Sequence, residues 1–179
     1  MNNPLQTAAP DQPAGLGTRP IRFVAPTLRD PRVTLAVGLS LWTALGQTFL
    51  YFNRDPLQIT AAVGTACAVE MLLAFVMLRQ ILVPISAYIT GLSIGILLES
   101  YDWRVFVVAS AWGILAKYLL RIGDRHIFNP SNIAIVASIV LLHGAATVAP
   151  GSQWGGDFRV AILIMTLGLM LMRRVGRLD

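Results

Sequence analysis

Two groups of residues in this 179-residue chain have the types and spacing to do chemistry. The first is Arg121 to Ile135, RIGDRHIFNPSNIAI, a basic and polar interruption between two apolar runs. Proline fixes its own φ, lacks an N–H, and pushes the residue before it out of the α region. A helix therefore cannot pass through Phe128-Asn129, but it can start there, with Asn129 as N-cap and Pro130 at the first helical position. Ser131 and Asn132 then fall in the first turn. The positive end of that helix dipole lies beside Lys117, Arg121, Arg125 and His126, an arrangement suited to holding an anionic or polar group. The plainer reading, a well-capped helix start in a loop, stays open beside it.

The second group lies inside apolar runs. Glu70 shares a four-residue spacing with Ala62, Ala66 and Ala74, so it sits on a face of small residues that a second helix can approach closely. A carboxylate at that depth faces the protein interior, either as an ion or proton site or as a hydrogen-bonded lock between helices. Ala87, Gly91 and Gly95 make a second close-packing seam, with Ser86 and Thr90 one position before two of them. Thr90-Gly91 reads as helix packing or as part of a ligand or ion path. Lys117, near a helix end, is expected to snorkel to the interface. Cys67 reads as a small packing residue, since one thiol makes no internal disulfide or metal cluster. No conventional metal-ligand spacing, phosphate loop or Ser/His/Asp arrangement appears, so no metal is expected.

The elements that must position these residues are membrane helices. The chain is 55% hydrophobic and 13% charged, and its apolar residues fall in long runs with charges at the ends. That placement makes the net charge of +5 a matter of membrane orientation and argues against nucleic acid as a partner. Residues 1–30 hold Pro4, Pro10, Pro13, Pro20 and Pro26 and no signal-peptide pattern; they are expected to form a disordered, Pro-rich cytoplasmic tail. Residues 31–179 are expected to form one transmembrane helical domain. Its apolar runs are Val33–Tyr51, Leu57–Leu78, Ile81–Leu98, Trp103–Leu120, Ser131–Val148 and Phe158–Met172. The fifth, weaker in apolar content, spans or is re-entrant.

The expected fold is therefore all-α: a polytopic transmembrane helical bundle of about six segments with cytoplasmic N- and C-termini. With that topology eleven basic residues fall inside and only Arg54, Arg104 and Arg159 outside, a positive-inside bias. Tyr51, Phe52, Tyr101, Trp103 and Trp154 are expected to form the outer aromatic belt. The location this predicts is a bacterial inner (cytoplasmic) membrane.

The third and fourth runs with the Asn-Pro stretch resemble a known family of membrane proteins, the NqrB/RnfD family. Its members are NqrB, of the Na+-translocating NADH:quinone oxidoreductase, and RnfD, of the related Rnf electron-transport complex. The positions that carry the likeness are Thr90-Gly91, Lys117, Gly123, Arg125, Phe128, Asn129 and Pro130. The Arg-His form of the motif and Pro150 to Gly155 are most similar to a UnbU-like branch of that family. The likeness covers about Ile85 to Gly156 and, more weakly, the first two runs.

What the resemblance implies is a membrane subunit of an electron-transport complex. Flavin (FMN or riboflavin) or quinone would lie near Arg125, His126, Asn129, Pro130, Ser131 and Asn132, with Thr90 and Gly91 nearby. The family's Ser-Gly-Ala-Thr flavin-attachment motif is missing, and Gly144 to Thr147 is only a partial lookalike. The chain is expected to be a half-length or truncated relative, pairing with itself or with other membrane subunits. Two other functions remain: a non-catalytic accessory subunit, and half of a small-solute or ion transporter with Glu70 and Thr90 in its pathway.

Overall fold

A computed structural model describes residues 22–27, 30–49, 52, 54–122, 125–148 and 158–174. Gly123, Pro150 to Gly155 and the residues before 22 lie outside the described residues. The described part is mostly helical, as the apolar runs require, with six helices among the described residues. They are α1 (Pro31–Thr48), α2 (Pro56–Leu78), α3 (Ile85–Leu97), α4 (Trp103–Leu119), α5 (Pro130–Leu141) and α6 (Phe158–Arg174).

Four helix starts follow one local rule. Asp30, Asp55, Asp102 and Asn129 adopt extended backbone and accept a hydrogen bond from the N–H two residues on. Proline follows three of these caps at the first helical position, where its missing N–H costs nothing. The α3 start differs: its N-cap is Pro84, which has no side chain able to cap.

Antiparallel packing of α2 on α3 is set by the small residues. A Cβ on Gly91 would lie 2.6 Å from Val63 Cα and 2.9 Å from the Ala62 carbonyl, so only glycine permits this approach. One turn later Gly95 faces Ile59. Gly113 of α4 likewise meets the Pro130 carbonyl and Ala134 of α5. The core lies between α2, α3, α4 and α5, around Ala62, Ile94, Phe106, Ala109 and Ala134. Ala62, Ala66, Glu70 and Ala74 are all buried, as their four-residue spacing predicts. Cys67 packs beside Ala66, Ala87 and Ile114.

Short extended segments finish the two ends of the bundle. At one end lie the starts of α1, α3 and α5, with two ribbons. Here β1 (Arg22–Val24) pairs in parallel with β2 (Gln80–Leu82), and β4 (Arg121–Ile122) pairs antiparallel with β5 (Arg125–His126). Part of the stretch expected to be tail is thus a strand. At the opposite end β3 (Leu98–Glu99) pairs with β6 (Thr147–Val148). There Arg54, almost wholly buried, lies 3.7 Å from Glu99. Burial pushes the Arg54 pKa below its ordinary value, and Glu99 opposes that shift.

Three expectations change. The third and fifth apolar runs are helical only over Ile85–Leu97 and Pro130–Leu141; their remaining residues are extended or in turns. Among the described residues only α2 is both long and apolar enough to cross a membrane. Phe52, expected in the aromatic belt, is buried against Gly46 and stacks edge-on with Trp42 at 5.9 Å. Tyr101 and Trp103 are exposed, and Tyr51 and Trp154 lie outside the described residues.

Candidate functional site

Asn129 makes the cap its sequence implies. Its Oδ1 accepts from the Ser131 N–H at 3.2 Å and from the Ser131 hydroxyl at 2.9 Å, and the Ile133 N–H donates to its carbonyl. Pro130 and Ser131 are buried by this arrangement, while Asn132 is exposed. Because Oδ1 is taken, the Asn129 amide has only its NH2 left to offer, as a donor.

This helix start borders a cavity of about 420 Å³ where the first turns of α1, α3 and α5 converge. Arg32 contributes from α1; Ser86, Ile89 and Thr90 from α3; and Ile127, Phe128, Asn129 and Pro130 from the α5 entry. Its apolar lining is Ile89, Ile127, Phe128 and the Pro130 ring. Three of its side chains can donate: the Arg32 guanidinium, the Asn129 amide and the Ser86 hydroxyl. No carboxylate lines it among the described residues. Thr90 is buried and donates to the Ser86 carbonyl at 3.0 Å, so its proton is already used. A cavity with a guanidinium and no carboxylate among its described lining residues, where three helix starts meet, suits an oxyanion carried on an apolar body.

Glu70 closes the missing cap of α3. Its Oε2 accepts from the Ala87 N–H at 2.8 Å, in the first turn of that helix. Its Oε1 accepts from Lys117, which also donates to Ser86 Oγ at 2.9 Å. A carboxylate at a helix N-terminus is favoured both by the N–H groups there and by the dipole. Lys117 thus turns inward from the last turn of α4 toward Glu70 and Ser86, and the expected snorkelling to the interface is corrected. Side-chain exposure is 4% for Glu70 and 18% for Lys117, so the pair is nearly sealed.

Of the residues singled out in sequence, Asn129, Pro130 and Thr90 meet at the cavity. Gly91 does not: it is pressed against the α2 backbone and serves packing. Ser131 stands behind Asn129 as its hydrogen-bond partner, and Asn132 lies outside the cavity lining. Arg125 and His126 belong to β5, which pairs with β4 at the same end of the bundle. Glu70 is not in the cavity wall but reaches it through Lys117 and Ser86. Arg32 and Ser86 were not anticipated as site residues. The Glu70–Lys117 pair was not anticipated either; the one signal for it in the sequence is that each is a charge within an apolar run, Glu70 the only one in its own.

In comparison with known proteins, the chain matches no family model, and no curated protein or solved structure matches it.

Proposed function

We propose that the chain is a multi-pass protein of the bacterial cytoplasmic membrane, with six membrane segments and both termini cytoplasmic. In this reading it is a subunit of a redox complex of the NqrB/RnfD kind, and the cavity at the α1/α3/α5 starts holds a flavin. The observation that carries the ligand reading is a cavity at the Asn129-Pro130 helix start that Arg32 lines and, among the described residues, no carboxylate does.

The membrane reading rests on what the helices leave uncovered. Only 22% of the most apolar window of α2 is buried, whereas the core helix of a water-soluble protein is mostly buried. Leu57, Met71, Leu72, Phe75 and Val76 project from α2, Val37, Leu41 and Leu45 from α1, and Val136 and Val140 from α5. Apolar surface on so many sides of one bundle calls for lipid or partner subunits. The basic residues support an inside assignment for the cavity end. Arg32, Arg79, Lys117, Arg121 and Arg125 belong to it, against Arg54 and Arg104 at the other.

The residues present fit a flavin phosphate. Arg32 and the Asn129 amide would take the phosphate oxygens, with the dipole of α5 adding to the attraction. Ile89, Ile127 and Phe128 would lie against the ring, and about 420 Å³ falls within the usual range of ligand cavities. A bound flavin would supply electron transfer; the chain's own residues bind it, orient it and keep water from its apolar side. Purified protein, extracted only by detergent, is expected to carry or to take up flavin, read by its visible absorption. Release by alkaline carbonate, or failure to take up flavin, would sink the respective half of the reading.

Scaffolding within a larger membrane assembly is the second reading. It is favoured by α6, whose Phe158, Leu163, Met165 and Met170 are exposed and which makes no sustained contact with the other helices among the described residues. Purification of the native assembly and identification of its chains tests it. A transporter pathway through Glu70 and Thr90 is disfavoured, because both Glu70 oxygens and the Thr90 hydroxyl are engaged inside the bundle.

A further inference from the structure

We infer that Ser86 is the hydrogen-bond donor that fixes a phosphate oxygen of the molecule in this cavity, and that Lys117 and Glu70 hold it in that role. The inference rests on reading the cavity as a ligand site and gives a role in it to Ser86, which the sequence placed only beside a packing seam.

A lysine ammonium has three protons and no lone pair, so in its 2.9 Å contact with Ser86 the serine oxygen must accept. The Ser86 proton is then left to find another partner. Among the described residues none accepts it, and the open space beside Ser86 is the cavity it lines. A serine in a helix interior commonly turns its hydroxyl back to the carbonyl four residues earlier, as Ser40 does to Ala36 and Ser138 does to Ala134. In the first turn of α3 that choice is weakened, because the residue four earlier, Leu82, lies outside the helix in β2.

Lys117 cannot easily leave, since its other contact is the buried Glu70 carboxylate, itself anchored to the Ala87 N–H. The row Glu70–Lys117–Ser86 therefore ends in a polarised O–H at the cavity. With Arg32 and Asn129 it makes three donors and no acidic group among the described lining residues, a set that selects an oxyanion over a cation or a neutral amine. The shared chemistry is a phosphate with an apolar body, whether from a flavin or from a lipid headgroup.

The test uses the full chain in phosphatidylcholine nanodiscs, titrated calorimetrically with FMN, riboflavin and inorganic phosphate. A second set of discs contains phosphatidylglycerol. Wild type is expected to bind FMN more tightly than riboflavin. Ser86→Ala should weaken FMN roughly 5- to 30-fold, the range for one neutral to charge-assisted hydrogen bond, and leave riboflavin little changed. Ser86→Thr, which keeps the hydroxyl, should stay near wild type. Lys117→Met should weaken FMN without adding to the Ser86→Ala loss, as expected of a residue acting through Ser86. Thermal unfolding of each variant separates lost binding from lost fold.

If FMN binds wild type and Ser86→Ala equally, or if Ser86→Thr loses as much as Ser86→Ala, the Ser86 inference fails and the flavin reading stands. If FMN does not bind, but inorganic phosphate or phosphatidylglycerol does so in a Ser86-dependent way, the inference stands and the flavin reading falls. If none of the probes binds wild type, both fall.

Discussion

Removing Lys117 should cost far more than neutralising Glu70, although the two form one pair. With Lys117→Met the Glu70 carboxylate keeps the Ala87 N–H but loses its counter-charge at 4% side-chain exposure. An uncompensated charge at such a site costs about 3–5 kcal/mol. Glu70→Gln behaves differently. The amide oxygen can still accept from the Ala87 N–H, so α3 keeps its cap. Lys117, on the last turn of α4 and 18% exposed, can swing its ammonium out to water at the bundle end. That variant should lose only about 1–2 kcal/mol.

The double variant Glu70→Gln/Lys117→Met removes both charges and keeps the cap. It should be more stable than Lys117→Met alone, by about 2 kcal/mol. Thermal unfolding in mild detergent, followed by size-exclusion recovery, reads the order directly. At roughly 2–4 °C per kcal/mol for a chain of this size, Lys117→Met should melt about 10 °C lower than wild type. Equal losses for the two single variants, or a double variant weaker than Lys117→Met, would refute the account of Glu70 as a sealed cap.

Three further sets of variants probe the packing and the ends. Gly91→Ala should destabilise by about 1–3 kcal/mol, because its Cβ would meet the α2 backbone at Val63 and Ala62. Gly64→Ala, with nothing within 4 Å of its added carbon, should be neutral or slightly stabilising, and the same melting assay compares the two. Asn129→Ala should cost about 1 kcal/mol through the lost cap of α5. Asn129→Asp should keep the cap but put a negative charge at the cavity, weakening FMN in the nanodisc titration. Arg54→Ala should loosen the end that holds β3 and β6, at about 1–3 kcal/mol, since Glu99 loses its buried partner while still reaching water itself. Proteolysis near Thr147 and Val148 would report that loosening.

Features set by local steric rules were legible in the sequence. Asn129-Pro130 could only be a helix start, and Ala62, Ala66, Glu70 and Ala74 could only share a face, because the chemistry of proline and the pitch of a helix leave no alternative. The seam at Gly91 and Gly95 was readable for the same reason. What escaped were choices made between elements. The partner of Glu70 depends on how far α2 and α4 are rotated toward each other, and apolar runs carry no record of that rotation. Phe52 looked like an interfacial aromatic because it follows an apolar run; its burial required Gly46, a turn away, to leave room for the ring. The ends of α3 and α5 were overextended because an apolar run reports burial and not period. Leu98 is buried as fully as any helical residue nearby, but in a strand.

Those shortened helices bear on how the proposed membrane subunit would cross a bilayer with a single long apolar helix among the described residues. At 1.5 Å per residue, the 13 residues of α3 cover about 20 Å and the 12 of α5 about 18 Å, short of a hydrocarbon core of about 30 Å. Extended residues advance about 3.3 Å each, so a few of them at each end complete the distance. In lipid such residues would expose backbone N–H and C=O groups at several kcal/mol apiece. Here part of that cost is met by pairing: β2 takes β1 as its partner, and β3 takes β6.

Position supplies the remaining protection. Ala87, Thr90 to Leu92 and Ile94 to Ile96 are all buried, so α3 sits inside the bundle, against the longer α1, α2 and α4. Non-helical backbone at membrane depth is tolerated where protein surrounds it, and that is also where a polar cavity can open without meeting lipid. The short length of α3 and the cavity at its first turn then have one cause. Ending the helix early leaves a start that no side chain of its own caps. Glu70 fills that start from α2, Lys117 follows Glu70, and Ser86 is left with a proton to offer at the cavity.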